Sequence, residues 1–267
     1  MSISAPTANH LAESPFGSWR FRFPVSAVRF SVFLLCFLCF LKAGFLCRGE
    51  DAPNARQILN AVRLNQSAQN RTLRGSLRTG GRTIPFLLVS SAGFIRYEFT
   101  DPPLTLQLRL GAKDSRLEEV TKGSAEKVTP ARYNTRVRDT GITYEDLSLH
   151  FLYWQKAAVE GEQTLVLQKC WIVRVEPDSP GDSQYSKVQL WISKNGSALM
   201  QAEAYDSNGK VIRRFKVISG QKVDEGLWIL KEMRIESMTG SPADRAPTYL
   251  EIDGLEKPKQ IPPAGKP

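Results

Sequence analysis

The sequence predicts a mainly β fold, α+β in class, built on a long antiparallel sheet with a few helices. Two observations carry this. From Tyr185 to Ile252 apolar and polar residues alternate through consecutive short segments, and the segments are separated by Asn-Gly and Asp/Ser/Gly clusters suited to hairpin turns. A second series of short alternating segments lies between Thr72 and Leu110, again with glycine-bearing turns.

The first fifty residues stand apart from that pattern. Arg20, Arg22 and Arg29 precede an apolar run from Phe30 to Leu41, and Ala43 to Gly49 follow Lys42. This is the charge order of an export signal, with cleavage expected near Gly49. The apolar run is shorter than the roughly 20 residues a membrane-spanning helix needs; an uncleaved anchor is the alternative. Cys47 as a lipidation site is disfavoured by the bulky Phe45 and Leu46 before it. Residues 1–49 hold three of the four cysteines and five basic residues against one acidic one, so their removal leaves Cys170 alone and lowers the net charge from +9 to +5. A chain of this length buries enough apolar surface to fold without disulfides. Its Lys and Arg are spread along the strands without a nucleic-acid motif, which argues against nucleic acid as a partner. Asn-x-Ser/Thr triplets occur at Asn65, Asn70 and Asn195, a number expected by chance.

Element by element, a helix is expected from Asp51 as N-cap, with Pro53 in its first turn and Ile58, Leu59 and Val62 on its apolar stripe. Strands are expected at Thr72 to Thr79, Arg82 to Val89, Gly93 to Thr100 and Leu104 to Leu110. The last has four leucines on one face and Thr105, Gln107 and Arg109 on the other. Ser115 to Val120 reads as a short strand and Thr121 to Thr129 as a polar loop. Thr143 and Asp146 have the spacing of a capping box, ahead of Leu147, His150, Phe151 and Trp154 on one helical face, so a helix is expected over 143–154. Leu165 to Val175 reads as one strand. Strands then follow from Lys187 to Ser193, Ala198 to Tyr205, Lys210 to Ser219, Leu227 to Met238 and Thr248 to Ile252. In the first of these Val188, Leu190 and Ile192 share a face, with Trp191 on the other.

The catalytic inventory is thin. Glu145 and Asp146 sit beside Tyr144, but the capping reading accounts for them. His150 lies on an apolar face, and Cys170 lies inside a strand with no basic partner in sequence. No nucleophile elbow, phosphate-cradling loop or paired-His metal motif is present. The expectation is a protein that is not an enzyme and holds no metal or cofactor.

The motifs do have a recognisable order. After the export signal, helix and strand series come Ile142-Thr143-Tyr144-Glu145-Asp146-Leu147, Lys169-Cys170-Trp171-Ile172-Val173-Arg174, Val188-Gln189-Leu190-Trp191-Ile192, Tyr205-Asp206-Ser207-Asn208-Gly209 and Gly226-Leu227-Trp228-Ile229. Over nearly all of Ala52 to Ile252 this resembles the less characterised branch of the LolA/LolB-like superfamily of outer membrane lipoprotein-sorting proteins. The resemblance implies a half-open antiparallel β-barrel of about eleven strands with covering helices, occupying residues 50–255; the tail from Glu256 to Pro267, rich in Pro and Lys, reads as disordered by its composition. The resemblance further implies a periplasmic carrier whose apolar cavity takes lipoprotein acyl chains or other lipid, with inner- and outer-membrane envelope proteins as partners. An envelope sensor or scaffold that binds a partner protein on the same fold is the alternative. Phe86, Leu88, Leu106, Leu108, Leu110, Leu190, Ile192 and Leu230 are the side chains expected to line the cavity. An early-strand arginine that holds the lid closed in the carriers has three candidates here, Arg74, Arg78 and Arg96.

Overall fold

In a computed structural model of the chain, residues 53–67, 70–222 and 228–253 are described; the expected export signal and C-terminal tail lie outside them. Helix α1 (Ala55–Ser67) precedes six strands, β1 (Arg71–Thr79), β2 (Arg82–Ser91), β3 (Phe94–Phe99), β4 (Leu104–Leu110), β5 (Ser115–Thr121) and β6 (Ser124–Lys127). A crossing segment, residues 128–155, holds only short helical turns, the longest of them α2 (Tyr144–Ser148). Seven strands follow: β7 (Lys156–Leu165), β8 (Gln168–Glu176), β9 (Lys187–Ser193), β10 (Leu199–Tyr205), β11 (Val211–Lys222), β12 (Trp228–Ser237) and β13 (Thr248–Ile252).

All thirteen strands belong to one antiparallel sheet in the order β6-β5-β4-β3-β2-β1-β13-β12-β11-β10-β9-β8-β7. Each half is a meander, the simplest path for strands joined by tight turns. The halves meet where β1 pairs β13, in the register Gly75↔Ile252 and Leu77↔Leu250. The sheet is not closed, since β6 and β7 are its two edges, and the crossing segment is the chain that passes from one edge to the other. Gly75 makes room at the seam: a Cβ there would stand 2.6 Å from the Phe86 ring and 2.7 Å from the Glu251 carbonyl oxygen.

The apolar faces of the two meanders form one core. Leu106 and Leu108 from β4, Leu117 from β5, Val173 and Val175 from β8 and Leu190 and Ile192 from β9 are buried together. Over them lie Ile58, Leu59 and Val62 of α1 and Val137, Ile142, Phe151 and Leu152 of the crossing segment. The half-open barrel and the covering helices are therefore as expected.

Several expectations need correction. Among the described residues the strands number thirteen, where about eleven are expected. The 121–129 stretch expected as loop holds β6, whose four residues are exposed and show no alternation of burial. β7 was not expected, because a bulge between Val159 and Gly161 breaks the period of two. The single strand expected at Leu165 to Val175 is the end of β7, a two-residue turn at Val166 and Leu167, and most of β8; an apolar dipeptide carries no turn signal. The helix expected over 143–154 stops at Ser148, where Leu149 turns left-handed with φ 51°, and a 3₁₀ turn at His150–Leu152 follows. At the start of α1, Asn54 is the cap: its side chain accepts from the Arg56 amide (3.0 Å) and Gln57 accepts from the Asn54 amide (3.0 Å). Pro53 thus precedes the cap, and Asp51 lies outside the described residues.

Candidate functional site

The crossing segment is fixed to the sheet by apolar contact, by a buried polar cluster at Asp146 and by further polar links such as the Arg132–Glu119 pair at 2.6 Å. α2 begins with the expected capping box: the Asp146 amide donates to Thr143 Oγ1 (3.4 Å) and the Thr143 amide donates to Asp146 Oδ2 (2.7 Å). Asp146 has a second task that the capping pattern conceals. Arg213 of β11 shares the inward face with Phe215, and its guanidinium reaches both carboxylate oxygens of Asp146, with Nε at 3.3 Å from Oδ1. Arg213 also donates to the Gly141 carbonyl (2.5 Å), and the Tyr185 hydroxyl donates to Asp146 Oδ1 (2.6 Å). The Asp146 side chain is 1% exposed and that of Arg213 10%. A buried pair of this kind is costly to break from one side, because the partner is left charged and dry. Burial lowers the Arg213 pKa to about 10, helped by the nearby Arg136 and opposed by Glu145.

Glu145, next in the chain, faces the loop ahead of β9. It accepts from the Ser183 hydroxyl and from the Gln184 amide (3.2 Å). Burial raises its pKa, and those hydrogen bonds only partly oppose the rise. Further along, the Tyr133 hydroxyl and His150 Nδ1 are 3.0 Å apart, Ser115 Oγ donates to the Ser148 carbonyl (2.8 Å), and the Gly141 amide donates to Thr248 Oγ1 (2.9 Å). His150 Nε2 is buried without a hydrogen-bond partner. Burial lowers the His150 pKa, with the Ser115 backbone opposing the shift.

All eight side chains expected to line a cavity belong to the core beneath this segment. Phe86, Leu106, Leu108, Leu190 and Ile192 are buried, and Leu88, Leu110 and Leu230 are half-buried against them. Two clefts lie elsewhere. One, of about 190 Å³, is mainly polar and opens beside the Arg213 cluster, with Arg136 and Asp244 paired at 2.6 Å on its wall. The other, of about 150 Å³, lies between the end of β7 and strands β10 and β11. In the present conformation the leucines are thus packed against the crossing segment.

Of the arginines singled out in sequence, Arg78 pairs with Glu251 (2.5 Å) and Glu232 (3.3 Å), and Arg96 binds Gln107 (2.6 Å); neither touches the crossing segment in these pairings. Arg213 does, and its signal was present. It falls on the same strand face as Phe215, an isolated cation in an apolar register.

Among the described residues no group of three or more His, Cys, Asp or Glu side chains is placed to hold a metal ion. Cys170 is fully buried, and burial raises its thiol pKa, away from a thiolate nucleophile.

Residues 123–263, more than half of the chain, match the model of a family described as an uncharacterized protein. Solved structures are similar in fold. A LolA superfamily protein from Nitrosomonas europaea aligns with a TM-score of 0.56 and 12% identity, over 76% of this chain and 92% of its own. A domain named for outer membrane lipoprotein sorting, from Vibrio parahaemolyticus, aligns with a TM-score of 0.58 and 13% identity, over 74% and 90%. A DUF1329 family protein from Desulfovibrio piger aligns with a TM-score of 0.52 and 16% identity, over 76% and 92%. No curated protein matches the sequence.

Proposed function

The chain belongs to the family matched by residues 123–263 and has a LolA-like fold, and from that premise we propose that it is an exported envelope protein that binds acyl chains. The cargo is the acyl part of lipoproteins or another lipid, taken up between the concave sheet face and the crossing segment for sorting towards the outer membrane. The place of work is the periplasm, with a membrane tether if the N-terminal signal is retained. Binding requires no covalent step: an acyl chain has no hydrogen-bonding groups and gains roughly 0.8 kcal/mol per buried methylene.

One observation carries this reading. Beside α1, a continuous apolar face is covered by a segment with no helix longer than five residues, and among the described residues Arg213–Asp146 is the dry ion pair that links that cover to the sheet, the Arg132–Glu119 pair being partly exposed. Such a cover can lift as a unit, exposing Leu106, Leu108, Leu190 and Ile192 together. The capping box keeps Asp146 in place on the cover, and Tyr185 keeps it aligned from the sheet side.

The test is extraction of lipid from the protein purified from the cell envelope, with displacement of a fluorescent fatty acid. Bound lipid or saturable displacement is expected, and Leu108→Trp, which enlarges a side chain on the face the acyl chain would occupy, should abolish both in a variant whose circular dichroism matches the parent. Finding no lipid and no displacement in the parent protein would overturn the proposal. A partner protein that still binds the Leu108→Trp variant would instead favour a sensor or scaffold.

A further inference from the structure

Six large apolar side chains are exposed among the described residues, and all but Leu87 lie towards one end of the sheet. Leu167 (95% exposed) and Val166 (71%) form the tip of the β7–β8 hairpin, Trp228 (66%) opens β12, and Ile218 lies near the end of β11. Leu64 belongs to the same end, since the neighbouring Asn65 side chain donates to the Gly196 carbonyl in the β9–β10 turn (2.6 Å).

The tip is unusual in its backbone as well as its exposure. Val166 and Leu167 have φ of 45° and 66°, the left-handed pair that a two-residue hairpin turn requires. The β1–β2 turn meets the same requirement with Gly80 and Gly81, at φ 52° and 78°. A β-branched valine in that conformation is a genuine outlier. Burial of the tip does not offset its strain, because both side chains point into solvent. Residues that break a local rule without a local gain mark places where something outside the fold acts.

We propose that this end of the sheet docks on an anionic phospholipid surface, with Val166 and Leu167 entering the acyl boundary. Charge selects the occupant. Lys169 and Lys216 are exposed beside the tip and Lys222 beside Trp228 at the same end of the sheet, while one acid of β7, Glu162, is paired with Lys194 at 2.5 Å. Lysines beside projecting apolar side chains and a tryptophan are the composition of a bilayer interface. Apart from the adjacent Val166 and Leu167, the apolar groups project from separate elements, and the cleft beside Val166 is only about 150 Å³, which suits a deformable lipid layer better than the groove a peptide needs. The connection 223–227 adds Asp224 and Glu225 to the sequence here, outside the described residues. The docking surface is independent of cargo binding, so the two can fail separately.

Hydrogen exchange of the full chain, with and without phosphatidylglycerol vesicles, tests this whether or not the N-terminal segment itself touches lipid. Amides of residues 164–169 and 217–222 should exchange more slowly with these vesicles than with phosphatidylcholine. In Val166→Asn/Leu167→Gly the turn is relaxed, so the thermal midpoint should rise while the titration of that protection shifts to weaker binding by roughly 10- to 100-fold. Lys169→Glu/Lys216→Glu should remove the preference for anionic lipid. Unchanged exchange at 164–169, equal protection on both lipids, or full protection in the relaxed-turn variant overturns the proposal. Protection that appears without vesicles as protein concentration rises would assign the surface to a second copy of the chain, and likewise overturns it.

Discussion

Glu118 and Glu145 are both almost completely buried, and their pKa values move in opposite directions. Burial pushes each carboxyl up. On β5, Glu118 then meets Arg109 Nε at 2.7 Å, Arg116 at 2.8 Å and the Gln107 amide at 3.1 Å, and these carry it below its ordinary value. Glu145, on the crossing segment, meets a hydroxyl and a backbone amide instead, and stays raised. The arginines beside Glu118 are about half exposed and keep much of their hydration, so they bring a full charge at little cost. Between the sheet and its cover, the guanidinium is itself buried and is bonded to the neighbouring acid, Asp146. Buried acids on this chain therefore differ by what faces them: solvated cations hold the sheet's polar ladder, and a dry pair holds the cover.

The strongest way to break this contrast is Asp146→Ala, which leaves Arg213 charged and buried and removes half of the capping box. A loss of about 3–5 kcal/mol in urea unfolding is expected. A smaller loss would mean that water enters the cluster freely. Arg213→Leu together with Asp146→Leu should be much milder than either single change, because no charge is left unpaired; if the cover is latched by this pair, acyl-chain exchange should quicken in the double variant.

Next in size, Thr143→Ala removes only the cap hydroxyl and should cost about 1 kcal/mol. Arg109→Ala on the outer ladder should cost less than about 1 kcal/mol, since its partner keeps Arg116 and Gln107 and the lost pair is solvated. Equal losses at the inner and outer arginines would erase the distinction.

The smallest effect concerns pH, and its sign follows from the shifts. Glu145 is raised in the folded state, so the fold binds more protons than the unfolded chain above the ordinary carboxylate range, and stability falls as pH rises through that window. Glu118 is lowered, so the stability it contributes is present above the ordinary range and is lost as pH falls towards its folded value. Glu145→Gln should therefore flatten the decline on the alkaline side of that range, and Glu118→Gln the decline on the acid side, as read from thermal midpoints across pH.

Much of the architecture was legible because it rests on local patterns. The Leu104 to Leu110 strand has the expected bounds, and the alternation of Val188, Leu190 and Ile192 gives three fully buried side chains with Trp191 on the other face, donating to Gln163 (2.7 Å). The Thr143 and Asp146 cap is equally local. Where the backbone departs from regularity the pattern failed: at the bulge in β7, at the left-handed Leu149, and at a hairpin turn built from Val166 and Leu167 where glycine or asparagine is the usual signal.

The sequence by itself determined the fold class, most of the strands and which side chains turn inward, because period-two alternation and turn chemistry act over a few residues. Tertiary structure alone decided that β1 joins β13, that the 128–155 segment spans both edges, and that Arg213 meets an acid 67 residues away. Those outcomes depend on which surfaces meet once the sheet has curved, and on the cost of burying a charge, which no local pattern records.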